Sequence, residues 1–246
     1  MGSNELNSFG KAYNDLKRKM IRLSEMDGDV FVPNIDPPGK VDYLFIGMEP
    51  SLGGWSKDEL DASAKVNRGF RNFLDGYETM ILHYSIRKYL LKKNERYYIT
   101  DFSKGAMFVE LAKSNRKNRY ARWYTLLNEE IQLLVKPSTR IYAVGSKVED
   151  GLRQNKFTKP FTRILHYSTN AAALRSIPGK EKEFESFSSQ VSHEDFLEIA
   201  SLVLDESSIP EEFSKRSYDK MARSSLTISR KKLMFNYQNT FTFERT

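Results

Sequence analysis

Short apolar runs and longer amphipathic segments alternate along this chain, a pattern typical of mixed α/β proteins. Runs rich in β-branched and aromatic residues predict four strands, at 43–46, 97–101, 139–145 and 163–168. Apolar positions at helical spacing predict helices at 8–23, 77–91, 118–134, 146–152 and 192–204. Ser192 stands at the N-cap of the last helix, with Asp195 at the capping-box distance. The polar section 53–69 predicts a long loop, and such loops are usually functional or mobile.

Polar groups stand at the ends of three predicted strands. Glu49 follows the first strand, in a turn where Gly47 permits close backbone approach and Pro50 disfavours helix. Asp101 closes the second strand, and His166 lies in the last one. Open α/β sheets bind ligands at the carboxyl ends of their strands, so Glu49 is a candidate for activating water. Acidic loops after strands are also common in proteins where they have no catalytic role. His166 is equally compatible with a structural role, in which its ring only forms hydrogen bonds with backbone groups.

Size and charge indicate a single folded domain with a polyanionic partner. A chain of 246 residues with 39% hydrophobic content can bury one substantial core. The formal net charge of +7 favours a polyanionic partner such as DNA. Basic residues cluster at 113–122 and 230–232, although each cluster taken singly equally fits a solvated surface.

Composition also excludes several kinds of chemistry. The chain has no cysteine, which excludes disulfides, thiol nucleophiles and a Cys-ligated iron–sulfur cluster. Its three histidines, His83, His166 and His193, show no metal-ligand spacing, so we expect no metal and no cofactor. No apolar segment reaches membrane-spanning length, and the polar N-terminus lacks the core of a signal peptide. We therefore expect a soluble, cytoplasmic monomer without membrane contact.

The strand ends also carry short motifs in a characteristic order. They read Gly47-Met48-Glu49-Pro50-Ser51, then Ile99-Thr100-Asp101, Ala143-Val144-Gly145 and His166-Tyr167-Ser168-Thr169. In this order they resemble the uracil-DNA glycosylase superfamily over about residues 40 to 175. That family has a first motif Gly-x-(Asp, Asn or Ala)-Pro-x, a middle strand usually ending in a base-reading asparagine, and a last motif that is typically His-Pro-Ser-Pro. Met48 beside Pro50 is most similar to Gly-Met-Asn-Pro of the single-strand-selective monofunctional branch.

Three positions depart from the family pattern. Glu49 replaces Asp or Asn, which keeps a possible general base but lengthens it by one methylene. Tyr167 replaces a proline, which permits a different loop shape. Asp101 stands where the asparagine is expected, and an ionised aspartate only accepts hydrogen bonds, as the exocyclic amino group of cytosine requires. Alternatively, Asp101 caps the segment that begins at Phe102 and touches no base.

The resemblance implies a fold and a domain division. A member of this superfamily would have a three-layer αβα sandwich with a central four-stranded, mainly parallel sheet. We expect a glycosylase-like domain over 1–204. The extension 205–246 would pack on or beside that domain, or form an arm over nucleic acid.

The resemblance also implies roles for the residues at the strand ends. A glycosylase flips its target base into a pocket and holds it by its edge and by stacking. Glu49 would position or deprotonate water, and His166 would donate a hydrogen bond to the departing base. Met48, Phe70 and Asp101 would bind the base.

Phe70 would provide the stacking ring. Trp55 is the alternative stacking residue, although either ring equally fits core packing.

The last motif would also contact DNA. The candidate DNA-binding residues are Ser51, Ser168, Thr169, Asn170 and Arg175. Leu174 or Arg175 would fill the gap that the flipped base leaves. Lys104 raises a lyase alternative, although a lysine is ordinarily a surface residue.

The sequence therefore predicts a monofunctional DNA glycosylase that acts on cytosine or a modified cytosine. A base larger than normal would indicate defence against phage that carry modified genomes. Two alternatives stay open. One is a repair glycosylase for uracil or deaminated bases, and the other is a catalytically idle member of the fold that binds nucleic acid.

Overall fold

The computed structural model describes residues 3–52 and 56–243, while the side chains of residues 3–7, 51, 107–118 and 170 lie outside that description. The helices are α1 (Ser3–Asp27), α2 (Glu59–Asn67), α3 (Tyr77–Ser85), α4 (Val109–Leu134), α5 (Ser146–Gln154), α6 (Glu181–Gln190), α7 (His193–Glu206), α8 (Glu211–Ala222) and α9 (Ile228–Phe243). A π-helical segment, Ile86–Leu90, follows α3, and a 3-10 segment, Thr169–Arg175, precedes α6. The strands are β1 (Val30–Phe31), β2 (Val41–Gly47), β3 (Ser51–Leu52), β4 (Tyr97–Asp101), β5 (Gly105–Phe108), β6 (Val135–Val144) and β7 (Thr162–Ile164).

The chain divides into two compact units. We call Met1–Arg68 with Glu95–Arg163 the sheet unit, and Gly69–Asn94 with Ile164–Thr246 the helical unit. This division differs from the boundary predicted after residue 204, because α9 packs against α3 within the helical unit. Side chains at the centre of α9, including Leu233 and Met234, are fully buried. Residues 228–243 are therefore part of a core and not an arm over nucleic acid.

The sheet unit contains the predicted four-stranded sheet, in the order β4-β2-β6-β7. Strand β2 pairs in parallel with both β4 and β6. Every residue of β2 except Asp42 is buried, as is typical of a parallel strand covered on both faces. The predicted α/β class and the mainly parallel central sheet, flanked by helices, are thus confirmed.

A layer of helices fixes the sheet from one face. Apolar side chains of β2 and β6 pack with those of α4 and α5 in one buried cluster, which includes Leu44, Ile46, Ile141, Leu127, Ile131, Val148 and Leu152. Burial of each such side chain contributes about 1.5–3 kcal/mol. Helix α1 lies against α4, with Leu16 and Met20 beside Trp123. These contacts hold the strand ends, and so the residues that follow them, in place.

A second, smaller sheet in the same unit was not predicted. Its strand order is β1-β5-β3, with β1 antiparallel and β3 parallel to β5. Strands β1 and β3 have two residues each, so they carry no alternation that a sequence pattern could reveal.

Several helices differ from their predicted bounds. The predicted loop 53–69 contains α2, because the Asp58 side chain caps it by accepting from the Asp61 N–H at 2.8 Å. Helix α4 starts at Val109, nine residues before the predicted start at 118. The predicted cap of α7 is confirmed, since the Asp195 N–H donates to the Ser192 hydroxyl at 3.0 Å.

Aromatic contacts build the helical unit. Tyr77 of α3 stacks on Phe196 of α7 with ring centres 4.4 Å apart, and α9 contributes the buried Phe241.

The last predicted strand is shorter than expected. It was predicted at 163–168 but ends at Ile164, so His166 lies in a loop and not in a strand.

Candidate active site

Glu49 stands in the turn that leaves β2. Gly47 ends the strand, Pro50 is buried, and Glu49 itself is half-buried. The hydroxyl of Tyr120, on α4, donates a hydrogen bond to Oε2 of Glu49. Tyr120 is also buried, and its ring meets Phe102 edge-on with ring centres 5.5 Å apart. The carboxylate is therefore held in a defined orientation at the strand end.

Tyr120 is a site residue that sequence reasoning missed. It lies inside the basic segment 113–122, and such a charged segment predicts a solvated surface and not a buried ring. The signal that could have found it is helical spacing, because Tyr120 belongs to the same buried cluster as Leu127, Ile131 and Leu134. That face of α4 points toward the sheet.

Asp101 lies at the adjacent strand end. Its Cα pairs with that of Gly47 across β4 and β2, and the residue is 2% exposed. The Phe102 N–H donates to the Gly47 carbonyl at 2.8 Å, and the Ser103 N–H donates to the Met48 carbonyl at 3.0 Å. These bonds join the two loops. No helix begins at Phe102, so Asp101 does not cap a helix, and the choice between a base-reading role and a capping role for Asp101 stays a prediction.

The strand order creates a switch point at this edge. The chain leaves β2 toward β4 on one side and leaves β6 toward β7 on the other. At such a switch point the loops after neighbouring parallel strands diverge and open a crevice at the carboxyl ends. Glu49 follows β2, while Gly145, whose φ of 93° suits glycine, turns the chain from β6 into α5. Glu49 thus stands where open α/β sheets bind ligands.

A buried polar network lies beside Asp101. The Lys104 ammonium donates to the Asp101 carbonyl at 3.2 Å and to Oε2 of Glu130 at 3.1 Å. The Thr100 hydroxyl donates to the same Glu130 oxygen at 2.7 Å. Lys104 is 2% exposed and Glu130 is fully buried, so the expectation of a surface lysine was wrong. An ammonium held in a buried ion pair does not offer the neutral amine that a lyase needs.

Two tyrosines extend this network toward α1. The hydroxyls of Tyr13 and Tyr98 share a hydrogen bond of 3.0 Å, and Tyr13 also donates to Oε1 of Glu130 at 3.4 Å. Burial raises the pKa of both tyrosines well above the ordinary value. Both hydroxyls therefore keep their protons and act as donors.

His166 lies in the helical unit, in a segment that we call the histidine loop (165–169). The Ser168 N–H donates to Nδ1 of His166 at 3.0 Å. Because an accepting Nδ1 carries no proton, neutral His166 carries its proton on Nε2. The imidazole stacks on Tyr167 with ring centres 4.4 Å apart. Nε2–H is thus the donor that this histidine would offer to a ligand.

Arg175 is buried beneath the histidine loop. Its guanidinium donates to the carbonyls of Tyr167 at 2.7 Å and Ser168 at 3.1 Å, and to the Ser229 hydroxyl at 2.9 Å. The residue is 2% exposed, and burial lowers the pKa of its guanidinium. These facts contradict the prediction that Arg175 contacts DNA or acts as a wedge, because both roles need an exposed side chain.

Other candidates for DNA contact differ in exposure. Thr169 is exposed and Ser168 is half-buried. Leu174 is 67% exposed, unlike its neighbour Arg175, so Leu174 is the wedge candidate that the structure leaves available. The side chains of Ser51 and Asn170, and all of Trp55, lie outside the described residues, so what was predicted for them stays a prediction.

Two residues predicted to bind a base belong to apolar clusters. Phe70 is 3% exposed in the helical unit and meets Phe213 edge-on with ring centres 5.6 Å apart. This is the core-packing alternative, so the stacking role is not supported for Phe70. Met48 is half-buried against the core of the sheet unit, next to Glu49 in the chain. The structure thus brings Met48, Glu49 and Asp101 to one sheet edge, and His166, Ser168 and Thr169 into one loop of the helical unit.

The basic cluster 230–232 is engaged within the helical unit. The Arg230 guanidinium lies 3.7 Å from the centre of the Tyr77 ring and bonds Glu78 at 3.0 Å. Lys231 donates to the Ser188 carbonyl at 2.5 Å. The cluster 113–122 lies largely outside the described side chains, and Arg122 at its end pairs with Asp27.

The described residues form no metal site and no membrane-spanning helix. No group of three or more His, Asp or Glu side chains in that part of the chain could hold a metal ion. Among the same residues, no helix is both long enough and apolar enough to cross a membrane.

Comparison with known proteins leaves the chain without an assigned family. A scan against protein-family models matched none, and a search of curated proteins gave no similar sequence. The functional case therefore depends on the chemistry of these residues.

Proposed function

We propose that this protein is a monofunctional DNA glycosylase that removes a cytosine-type base, natural or modified, and leaves an abasic site. The observation that carries the proposal is the sheet edge, where Glu49 stands at the switch point with Asp101 at the adjacent strand end. A carboxylate that can activate water and a second, acceptor-only carboxylate are the two groups that this reaction would use.

Glu49 would act on the water. Cleavage of the N-glycosidic bond leaves positive charge on the sugar, so a nearby carboxylate both stabilises that charge and accepts the proton of the attacking water. The Tyr120 hydroxyl on Oε2 orients this carboxylate. A hydrogen bond to a charged group of this kind contributes about 1.5–3 kcal/mol.

Asp101 would read the base. An ionised carboxylate accepts from an exocyclic amino group and cannot donate to the O4 of uracil. Its backbone is fixed by the Gly47 register and by the Lys104 ammonium on its carbonyl. This rigidity supports a role in discrimination, because a misplaced acceptor leaves a buried polar group unpaired.

His166 would stabilise the leaving base. Motif order assigns it this role, and its Nε2–H tautomer supplies the donor that a base with growing negative charge needs. A neutral histidine suffices for this, so the step needs no proton transfer from the imidazole. No metal or cofactor enters the proposed reaction.

The partner in this proposal is DNA, bound by a monomer in the cytoplasm. The net charge of +7 supports a polyanionic partner. Removal of a modified cytosine would serve defence against phage with modified genomes, whereas removal of ordinary cytosine would damage the host.

The test is base release from matched oligonucleotides carrying uracil, cytosine, hydroxymethylcytosine or glucosylated hydroxymethylcytosine, followed by alkaline cleavage. We expect release of a cytosine derivative, and we expect Asp101→Asn to move preference toward uracil. Release of uracil alone by the wild type would favour the repair alternative. Absence of release from every oligonucleotide would contradict the proposal and favour a non-catalytic binding protein.

A further inference from the structure

Helix α9 reaches the histidine loop through two buried side chains. The Tyr237 hydroxyl donates to the Leu165 carbonyl at 2.9 Å, and burial raises the pKa of Tyr237, so the hydroxyl keeps the proton that it donates. Ser229 receives the Arg175 guanidinium through its hydroxyl at 2.9 Å and its carbonyl at 3.3 Å. Both contacts lie within the helical unit.

The Arg175 guanidinium closes the loop on itself. It stands at the end of the 3-10 segment, yet it bonds the carbonyls of Tyr167 and Ser168, eight and seven residues earlier. A planar guanidinium presents several donors in a fixed fork, so it can hold these two carbonyls and Ser229 together. A lysine presents a single ammonium and cannot reproduce that geometry.

A buried cation is costly unless its donors are satisfied. The bonds given above use both terminal nitrogens of Arg175 on backbone and hydroxyl oxygens, with Ser229 contributing from α9, whereas the buried Nε has no hydrogen-bond partner among the described residues. The same carbonyls flank the Ser168 N–H that bonds Nδ1 of His166. Holding Ser168 in place therefore also holds the tautomer of His166.

We propose that Arg175 is a positioning residue for His166, and that α9 is the anchor against which it works. Arg175, Ser229 and Tyr237 fix residues 165–168 so that His166 keeps its proton on Nε2. The C-terminal helix α9 would then contribute to the reaction by supporting His166, without contacting DNA. The kinetic part of this inference rests on the proposed glycosylase function, whereas the structural part does not.

The test uses the full chain and the variants Arg175→Met and Arg175→Lys. The matched control is Arg223→Met, an exposed arginine at the end of α8. With only three histidines in the chain, the imidazole nitrogens of His166 can be assigned by NMR. We expect Arg175→Met to give a mixture of the two His166 tautomers and about tenfold faster exchange of the Ser168 amide. Arg175→Lys should lie between Arg175→Met and the wild type.

Kinetics then separate this inference from the proposed function. We expect Arg175→Met to lower kcat for base release about tenfold while KM changes little, and Arg223→Met to leave both unchanged. An unchanged tautomer and unchanged Ser168 exchange in folded Arg175→Met would overturn the inference. If Arg175→Met does not fold, Arg175→Lys provides the test. A wild-type tautomer and wild-type Ser168 exchange in Arg175→Lys would show that the paired donors of the guanidinium are not needed. Wild-type protein that releases no base refutes the glycosylase alone, because the NMR result stands without it.

Discussion

The sheet edge and the histidine loop hold their functional residues in different ways. At the sheet edge, Glu49 and Asp101 follow paired strands, and backbone bonds of 2.8 and 3.0 Å join their loops. In the histidine loop, the side chains of Arg175, eight residues beyond Tyr167, and of Tyr237, on the distant α9, donate to backbone carbonyls. The first arrangement follows from strand pairing, whereas the second depends on a few individual side chains.

The two kinds of support predict different responses to substitution. A strand end is supported by many equivalent hydrogen bonds, so a single side-chain change near it alters chemistry more than shape. A loop held by a few individual side chains becomes more mobile when one of them is removed.

Breaking the buried ion pair should have the largest effect on stability. Unlike other side-chain changes near the sheet edge, this one should destabilise the fold. Lys104→Met leaves the Glu130 carboxylate buried without its cation, which typically costs about 3–5 kcal/mol of unfolding free energy. Urea denaturation measures this. The double variant Lys104→Met/Glu130→Leu should recover most of the loss, because an apolar pair needs no desolvation. Equal stability of the single variant and the wild type would contradict the pairing.

Removing the Tyr120 hydroxyl should change chemistry and leave the shape of the edge intact. Tyr120→Phe keeps the ring against Phe102 but removes the donor to Glu49. We expect base release to slow by about 10- to 100-fold, the equivalent of one hydrogen bond to a charged group. Tyr124→Phe, a half-buried tyrosine of the same helix, is the matched control. Equal slowing in both variants would remove the special role of Tyr120.

Acid should weaken the helical unit through His83. Burial, with a contribution from nearby Arg87, lowers the pKa of His83 from 6.5 to about 3. Between these values the unfolded chain binds the proton and the folded chain does not, so stability falls as pH drops below 6.5. From pH 6.5 to pH 5 the loss is about 1.5 kcal/mol. His83→Gln should flatten this part of the profile in urea titrations, and an unchanged slope would contradict the assignment.

Removing one support of the histidine loop should give the smallest change. Tyr237→Phe removes the hydroxyl that bonds the Leu165 carbonyl and leaves the buried ring in place. We expect about 0.5–1.5 kcal/mol of lost stability. Hydrogen exchange should quicken in residues 165–168 and stay unchanged at the ends of β2 and β4. Faster exchange both in residues 165–168 and at the ends of β2 and β4 would show that the two regions are not supported in different ways.

The sequence predicted the sheet edge well because its signals are local. Apolar runs marked the four strands of the central sheet, and Glu49 and Asp101 could be located from the residues beside them. The Ser192 cap of α7 is equally local and was also predicted. Position relative to a strand end needs no knowledge of distant residues.

The supporting side chains were not predictable in the same way. Tyr120 acts on Glu49, a partner far along the chain. Lys104 and Arg175 are buried, although their charge predicts exposure. A buried lysine or arginine is rare, so composition alone assigns it to the surface. The two-residue strands β1 and β3 failed for another reason, since they are too short to show a period.

Single-turnover base release by wild type and Glu49→Gln, on the oligonucleotide that the wild type cleaves best, measures directly what the Glu49 carboxylate contributes to catalysis. Glutamine keeps an oxygen that can accept from Tyr120 but cannot take a proton from water. We predict a loss of about 10²- to 10⁴-fold in rate, with DNA affinity and melting temperature unchanged. A Glu49→Gln protein that releases base at the wild-type rate would contradict the account.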